Sequence, residues 1–413
     1  MFDKILVKNI GSLFGIKLAG YVIPLITLPY LVRTLGIESY GYLGFSIAIV
    51  QYFVLFVNYG FDLSATSHIA KNGNDKRAVS FIFWNVILLR ILFSFLGLMV
   101  LLVLNHFIDE FRGIGNILLA CYLTVFGTAI FPQWLFQGKE QLGLISVIRV
   151  VLQIISVPLL LFFVKNDKSV IEAALIGSLP IIGVAVISLF IIWKRDWLCW
   201  VRPSWKGMKH EFNEGWHIFL STAAVSMYTT SVTVVLGFLS GPTSVGYFVA
   251  ADKLIKAVLG FFSPISSAFY PRINAAVSRN KQEAISLIKK LFQLQVSISV
   301  ITSVAIFVFS HSVTKILFGE NFSTTAELLK VLALLPVLIS ISNVFGIQIL
   351  IPFGFQKLFS RILILSGVMS LVLLFLLTSL FNEYGAAASV LLTETFVAFS
   401  MWYVVSKKNI LKW

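Results

Sequence analysis

Apolar residues in this chain gather into long continuous runs parted by short polar stretches. The runs lie near residues 10–32, 42–63, 80–104, 114–135, 143–164, 170–193, 215–237, 245–270, 291–311, 327–350, 359–381 and 385–405. Each is long enough to cross a hydrocarbon core of about 30 Å as a helix, which takes about 20 residues. Strands of a membrane β-barrel would alternate apolar and polar positions, and these runs do not. The pattern predicts an all-α polytopic membrane protein of twelve transmembrane helices. Very short connectors at 136–142 and 382–384 make their flanking helices antiparallel neighbours. The longest polar interruption divides the chain into two six-helix lobes, residues 1–193 and 215–413, joined by a cytoplasmic linker at 194–214.

An internal echo supports this division. Leu35-Gly36-Ile37-Glu38-Ser39-Tyr40-Gly41-Tyr42, after the first span, resembles Leu236-Gly237 followed by Thr243-Ser244-Val245-Gly246-Tyr247, after the seventh. Gln133, Gly138 and Lys139 after span four are echoed more weakly by Gln348, Gly354 and Lys357 after span ten. An even number of spans per lobe gives both lobes one orientation, so a pseudo-two-fold axis would run along the membrane normal. Such architectures place a substrate site between the lobes and expose it to either side by rocking. Against this stands the recurrence of Gly-Tyr turns by chance at membrane edges.

Composition agrees with the pattern: 58% of residues are hydrophobic and 12% charged, and the mean hydropathy is +0.93, far from a soluble domain. A net charge of +14 would point to nucleic acid in a soluble chain, but no basic run here is long enough for that role. The charge instead reads as basic cytoplasmic loops. With the N-terminus inside, the cytoplasmic side receives Lys4, Lys8, Lys71, Lys76, Arg77, Lys139, the groups from Lys194 to Lys209 and from Arg272 to Lys290, Lys357, Arg361, and Lys407, Lys408 and Lys412. The opposite side receives only Arg33, Arg112, Lys165, Lys168, Lys315 and Lys330. Both termini are therefore expected in the cytoplasm, and the first span reads as retained, not as a signal peptide. Trp197, Trp200 and Trp205 stand among basic residues in the linker, a mixture suited to the headgroup level beside anionic lipid.

Catalytic chemistry is not indicated. Cys121 and Cys199 give no disulfide framework, and five scattered histidines give no ligand spacing, so no metal site is expected. No P-loop, HExxH or nucleophile elbow is present, and the outer loops are short, the longest near 312–326.

What does stand out is charge inside the spans. Asp252, Lys253 and Lys256 lie within the eighth, roughly 10–15 Å from its nearer end at about 1.5 Å rise per residue. Asp252 precedes Lys256 by one helical turn, the favourable order for an ion pair. Either the cluster lines a polar path, or both lysines snorkel to one interface with Asp252 capping them. Lys17 in span one, Arg90 in span three and Arg149 in span five are further intramembrane cations. Arg90 is too deep to snorkel easily, whereas Arg149 is near enough to the cytoplasmic end to snorkel or meet a headgroup. Asp62, near the inner end of span two, suits a gate or loop partner. Glu394 in span twelve is the isolated acid best placed for ion coupling, and Asp252 is the other candidate. Pro24 and Pro29 in span one are expected to kink that helix.

Several motifs carry a family resemblance. Leu28-Pro29-Tyr30-Leu31-Val32-Arg33-Thr34-Leu35-Gly36-Ile37-Glu38-Ser39-Tyr40-Gly41 and Asn58-Tyr59-Gly60-Phe61-Asp62-Leu63-Ser64-Ala65-Thr66 open the match. Val245-Gly246-Tyr247-Phe248-Val249-Ala250-Ala251-Asp252-Lys253-Leu254, Ala268-Phe269-Tyr270-Pro271 and Gly346-Ile347-Gln348-Ile349-Leu350-Ile351-Pro352 extend it over essentially the whole chain. These resemble the polysaccharide transporters of the multidrug/oligosaccharidyl-lipid/polysaccharide (MOP) exporter superfamily, most specifically the bacterial O-antigen flippase type, Wzx. The resemblance implies a MATE-like fold and a substrate of undecaprenyl pyrophosphate bearing an oligosaccharide, moved across the bacterial inner membrane. It also implies other polysaccharide assembly proteins as partners. Relatives often carry an acid in span seven, where this chain has Thr229-Thr230-Ser231-Val232-Thr233, which leaves that helix no carboxylate for a coupling ion.

A pyrophosphate head and hydrated sugars cannot cross hydrocarbon unaided, because unpaired charge and unsatisfied hydroxyls are costly there. A cationic central cavity would answer that cost, with Lys17, Arg90, Arg149, Lys253 and Lys256 as its candidate lining. Arg offers bidentate phosphate contacts and Lys a compact charge. No cofactor is implied beyond a proton or sodium as coupling ion. A cation-coupled multidrug exporter of the same superfamily is the alternative, but it would favour an acidic, aromatic cavity. A membrane polymerase or ligase would need a larger outer-face site. The related lipid II flippase type usually has two further spans.

Overall fold

A computed structural model describes residues 4–73 and 75–408, without the side chains of 4–19, 21, 224, 227 and 228. Among the described residues there are helices and no strands, and nine helical stretches are long and apolar enough to cross a membrane. The chain is a multi-pass α-helical membrane protein. It divides into two compact units, one of Met1–Ile23 with Thr34–Ser226, the other of Pro24–Arg33 with Met227–Trp413.

The first unit holds most of α1 (Lys4–Asn58), then α2 (Phe61–Lys71), α3 (Lys76–Phe107), α4 (Asp109–Arg112), α5 (Gly115–Ile130), α6 (Gln133–Gly138), α7 (Leu142–Phe163), α8 (Val170–Lys194) and most of α9 (Trp205–Thr229). Within α1 the helix breaks at Gly36, at φ 73° and ψ 171°. A side chain there would meet nothing within 4 Å, so the backbone angle alone calls for glycine. The connector at 136–142 turns through Glu140, which takes φ 57°, between α6 and α7.

Residues 194–214 pack into this first unit. The Cys199 N–H donates to Ser80 Oγ at 2.9 Å, its carbonyl accepts from Trp84 Nε1 at 3.0 Å, and the Ser204 N–H donates to Asn85 Oδ1 at 3.0 Å. Ser80 and Asn85 are fully buried on α3, and these bonds use the acceptor capacity left after their own donations to the Lys76 and Phe81 carbonyls. Trp197 lies under Lys139 and Arg195, 5.4 and 5.3 Å from its ring. Farther along α9, Phe212 and Phe219 stack on Tyr59 at 4.7 and 4.8 Å. Gly60 has φ +84°, and a Cβ there would fall 2.7 Å from Ile218 Cβ. Close approach of α9 to this turn thus depends on glycine twice over.

The second unit comprises α10 (Ser231–Gly260), α11 (Phe262–Arg279), α12 (Lys281–Phe318), α13 (Ser323–Leu332), α14 (Leu335–Ser342), a π-helix (Asn343–Leu350) and α15 (Gln356–Lys407). Pro24–Arg33 belongs with it, and Arg33 donates from Nε to the Leu317 carbonyl at 2.7 Å and from its terminal nitrogen to that of Ile316. The segment with Pro24 and Pro29 therefore caps the last carbonyls of α12. At its other end α12 is capped by Asn280, whose side chain accepts from Gln282 N and Glu283 N. Its 38 residues run to about 57 Å at 1.5 Å each, well beyond a hydrocarbon core of about 30 Å.

Helix α10 breaks at Gly241, at φ 79° and ψ −179°, the conformation of Gly36. The structure thus corrects the register of the internal echo: Gly241-Pro242-Thr243-Ser244-Val245-Gly246-Tyr247 matches Gly36-Ile37-Glu38-Ser39-Tyr40-Gly41-Tyr42, so the partner of Gly36 is Gly241, not Gly237. Helix α15 breaks at Asn382, φ 49°, at the expected 382–384 connector. Ser240 Oγ donates to Asn382 Oδ1 at 3.0 Å and Ser244 Oγ to Glu383 Oε2 at 2.6 Å. Two chain breaks of this unit are thereby fastened together.

Candidate functional site

Arg90 is the largest charged side chain wholly inside the first unit, at 1% exposure. Its fork is almost fully used. One terminal nitrogen donates to Asp62 Oδ1 at 3.0 Å and to Asn58 Oδ1; the other donates to the carbonyls of Thr128 at 3.3 Å and Phe131 at 3.1 Å. The Thr128 carbonyl is available for a local reason. Its helical partner four residues on is Pro132, which has no N–H. The guanidinium carbon also lies 4.3 Å from the ring centre of Trp134, a fully buried side chain, so a cation–π contact adds to the ion pair. Only Nε lacks a partner.

This cluster forms one wall of a polar cavity of about 270 Å³. Asn58, Asp62, Gln51, Thr124 and Gln133 line it, as does Arg149 of α7. Arg149 is an exposed side chain with no hydrogen bond or ion pair among the described residues. The fold thus brings Arg90, Asp62 and Arg149 to one place and gives them unequal jobs. Arg90 is spent on Asp62, Asn58 and two carbonyls; Arg149 is open to the cavity. Asn58 and Trp134 escaped the reading of the sequence, because neither is charged, although Asn58 opens a quoted motif and sits one turn before Asp62.

In the second unit, Lys256 Nζ lies 2.6 Å from Asp252 Oδ2 along α10, with Lys256 exposed and Lys253 half-buried. Glu394, half-buried on α15, makes no hydrogen bond or ion pair with them among the described residues. The Lys17 side chain lies outside those described. A neutral polar knot also sits in this unit: Gln348, fully buried on the π-helix, donates from Nε2 to Ser266 Oγ at 2.8 Å and to its carbonyl at 3.0 Å. Ser266 Oγ in turn donates to Asn343 Oδ1 at 2.6 Å. The π-turns let both Asn343 and Gln348 face α11, an arrangement that a regular helix, five residues apart, would not give.

Comparison with known proteins follows the same lines. The sequence profile of the family described as polysaccharide biosynthesis protein matches residues 6–275. A protein of Escherichia coli (strain K12) named "Putative O-antigen transporter" is 36% identical over 404 residues, covering 98% of this chain and 97% of its own. Among solved structures, the lipid II flippase MurJ in an inward closed conformation superposes with a TM-score of 0.74 at 12% identity, over 97% of this chain and 88% of its own. An inward-facing multidrug resistance MATE transporter of the MOP superfamily gives 0.71 at 16% identity, over 94% of each chain. At such identities these two likenesses speak for the fold: this is a MOP-type helical architecture.

Proposed function

Because the chain belongs to the polysaccharide biosynthesis protein family, we propose that it is a flippase for a lipid-linked oligosaccharide. Its cargo in this reading is an O-antigen or other surface-polysaccharide repeat unit on undecaprenyl pyrophosphate, carried from the inner to the outer leaflet of the bacterial inner membrane. The observation that carries the reading is the near full-length match, 36% identical over 98% of the chain, to the E. coli relative. Flipping makes and breaks no covalent bond, and the relatives are named as transporters and flippases, not catalysts.

The site chemistry supports the same direction. A pyrophosphate needs cationic donors out of water, and hydroxyl-rich sugars need neutral polar ones. The cavity of the first unit offers both: Arg149 as the open guanidinium, and Asn58, Gln51, Gln133 and Thr124 as neutral partners. Arg90 holds the wall and Asp62 in place. Lys17, Lys253 and Lys256 would extend the cationic path in an alternating-access cycle, with the polyprenyl tail left in lipid. The breaks at Gly36, Gly241 and Asn382 support counting twelve crossings in two six-helix halves. Both termini would then be cytoplasmic. The fold is shared by drug exporters, so the sign of the charge decides between them, and an Arg-lined cavity favours a pyrophosphate over a drug cation. Glu394 is the proposed site for a coupling proton or sodium, because Asp252 is engaged by Lys256.

The test is reconstitution in proteoliposomes holding undecaprenyl pyrophosphate oligosaccharide, with arrival at the opposite leaflet followed with and without the protein. Protein-dependent arrival is expected. Equal arrival without the protein, with or without an ion gradient, would overturn the reading.

A further inference from the structure

Three groups that the sequence keeps far apart meet where α2 ends. His68 lies in the last turn of α2, while His210 and Glu211 lie in the first turns of α9. One ligand atom from each lies within 4.8 Å of the others. His68 Nδ1 is 3.3 Å from Glu211 Oε1, and the rings of His68 and His210 stack with centroids 5.5 Å apart and planes at 12°. Glu214, nearly one turn beyond Glu211, brings Oε2 to 3.9 Å from His68 Nε2.

Glu211 is the telling member. It is 4% exposed, and its Oε2 has no hydrogen-bond partner. A carboxylate oxygen stranded away from water is costly. Burial pushes the Glu211 carboxyl above the usual carboxylate range, while His68 and His210 pull it back. A lone His68–Glu211 hydrogen bond would answer one oxygen and leave the other bare. Neutral imidazoles stacked beside it each keep a lone pair to offer.

We propose that His68, His210 and Glu211 bind one divalent first-row transition cation, zinc above all. Two imidazoles and a carboxylate suit zinc, whereas magnesium and calcium prefer oxygen ligands alone. Zinc–ligand distances of about 2.0–2.1 Å bring donors to about 3.3 Å from one another. Rotation of the exposed His210 closes that gap without moving α2. The cation would clamp α2 to α9 at a point distinct from the Gly60 contact, and it stands apart from the cavity of Arg90 and Arg149.

The experiment uses the full chain in detergent, purified on a tag without histidine, stripped with chelator and titrated with zinc chloride alone by calorimetry. One zinc per chain is expected. Cobalt in its place should give the visible absorption of a tetrahedral site. His210→Ala should weaken binding tenfold or more and abolish that absorption, with the metal-free melting temperature unchanged, because His210 is exposed. Glu211→Gln and His68→Ala should do the same to binding. No stoichiometric zinc in the native chain, or the same affinity in His210→Ala, would overturn the proposal, as would magnesium competing on equal terms.

Discussion

Arg90 and Arg149 share a cavity and a charge, yet their surroundings separate them. Removing one partner of a buried ion pair leaves the other uncompensated and costs about 3–5 kcal/mol. Arg90→Ala is therefore expected to destabilise the fold itself, lowering the melting temperature of the detergent-solubilised chain, and Arg90→Lys should restore only part because an ammonium cannot span Asp62, Asn58 and two carbonyls. A double-mutant cycle with Asp62→Asn should show strong coupling between the two sites. Arg149 has no such duties. Arg149→Gln should leave the melting temperature where it was and slow flipping about tenfold or more, as loss of a charge-assisted bond worth about 1.5–3 kcal/mol implies. That both residues stand inside apolar runs could be read from the sequence. Their division of labour could not, since it rests on contacts of Arg90 with Asn58, Asp62 and the Thr128 and Phe131 carbonyls, residues that no regular spacing ties to it.

Among the elements, the glycine breaks sort into two kinds. Gly36 and Gly241 need only their backbone angle, for nothing stands where a Cβ would go. Alanine at either should cost about 1–3 kcal/mol, because positive φ with ψ near 180° is a region open essentially to glycine alone. Gly60 takes the left-handed angle, φ 84° and ψ 0°, with Ile218 and the Gly215 carbonyl pressed against it, so Gly60→Ala should destabilise clearly more than Gly36→Ala in parallel thermal melts. Hydropathy found the long apolar helices because lipid contact demands long apolar faces. It located the turns less well. The pattern placed the repeat glycine at Gly237, since a single polar step hardly interrupts an apolar run, whereas positive φ at Gly241 is a backbone property that hydropathy does not record. The His68–His210–Glu211 cluster was illegible for a different reason: its members belong to two helices with no regular spacing between them.

For the whole molecule, the fold narrows function less than its charges do. Lys253 and Lys256 of the second unit should matter to transport and not to assembly: Lys253→Ala with Lys256→Ala should slow flipping in proteoliposomes while yield and melting temperature hold. Unchanged transport would remove these lysines from the path. Glu394→Gln tests coupling separately, since a coupled native protein should respond to an imposed proton or sodium gradient and the variant should not. The strand of chain around Cys199, held to α3 through Ser80 and Trp84, gives this molecule a built-in reporter. Its other cysteine, Cys121, is buried, so a membrane-impermeant maleimide applied to the unaltered protein interrogates that seam selectively. The side of the membrane from which labelling succeeds reads the orientation of the chain. The rate of labelling reads how often the seam opens, without a single engineered substitution.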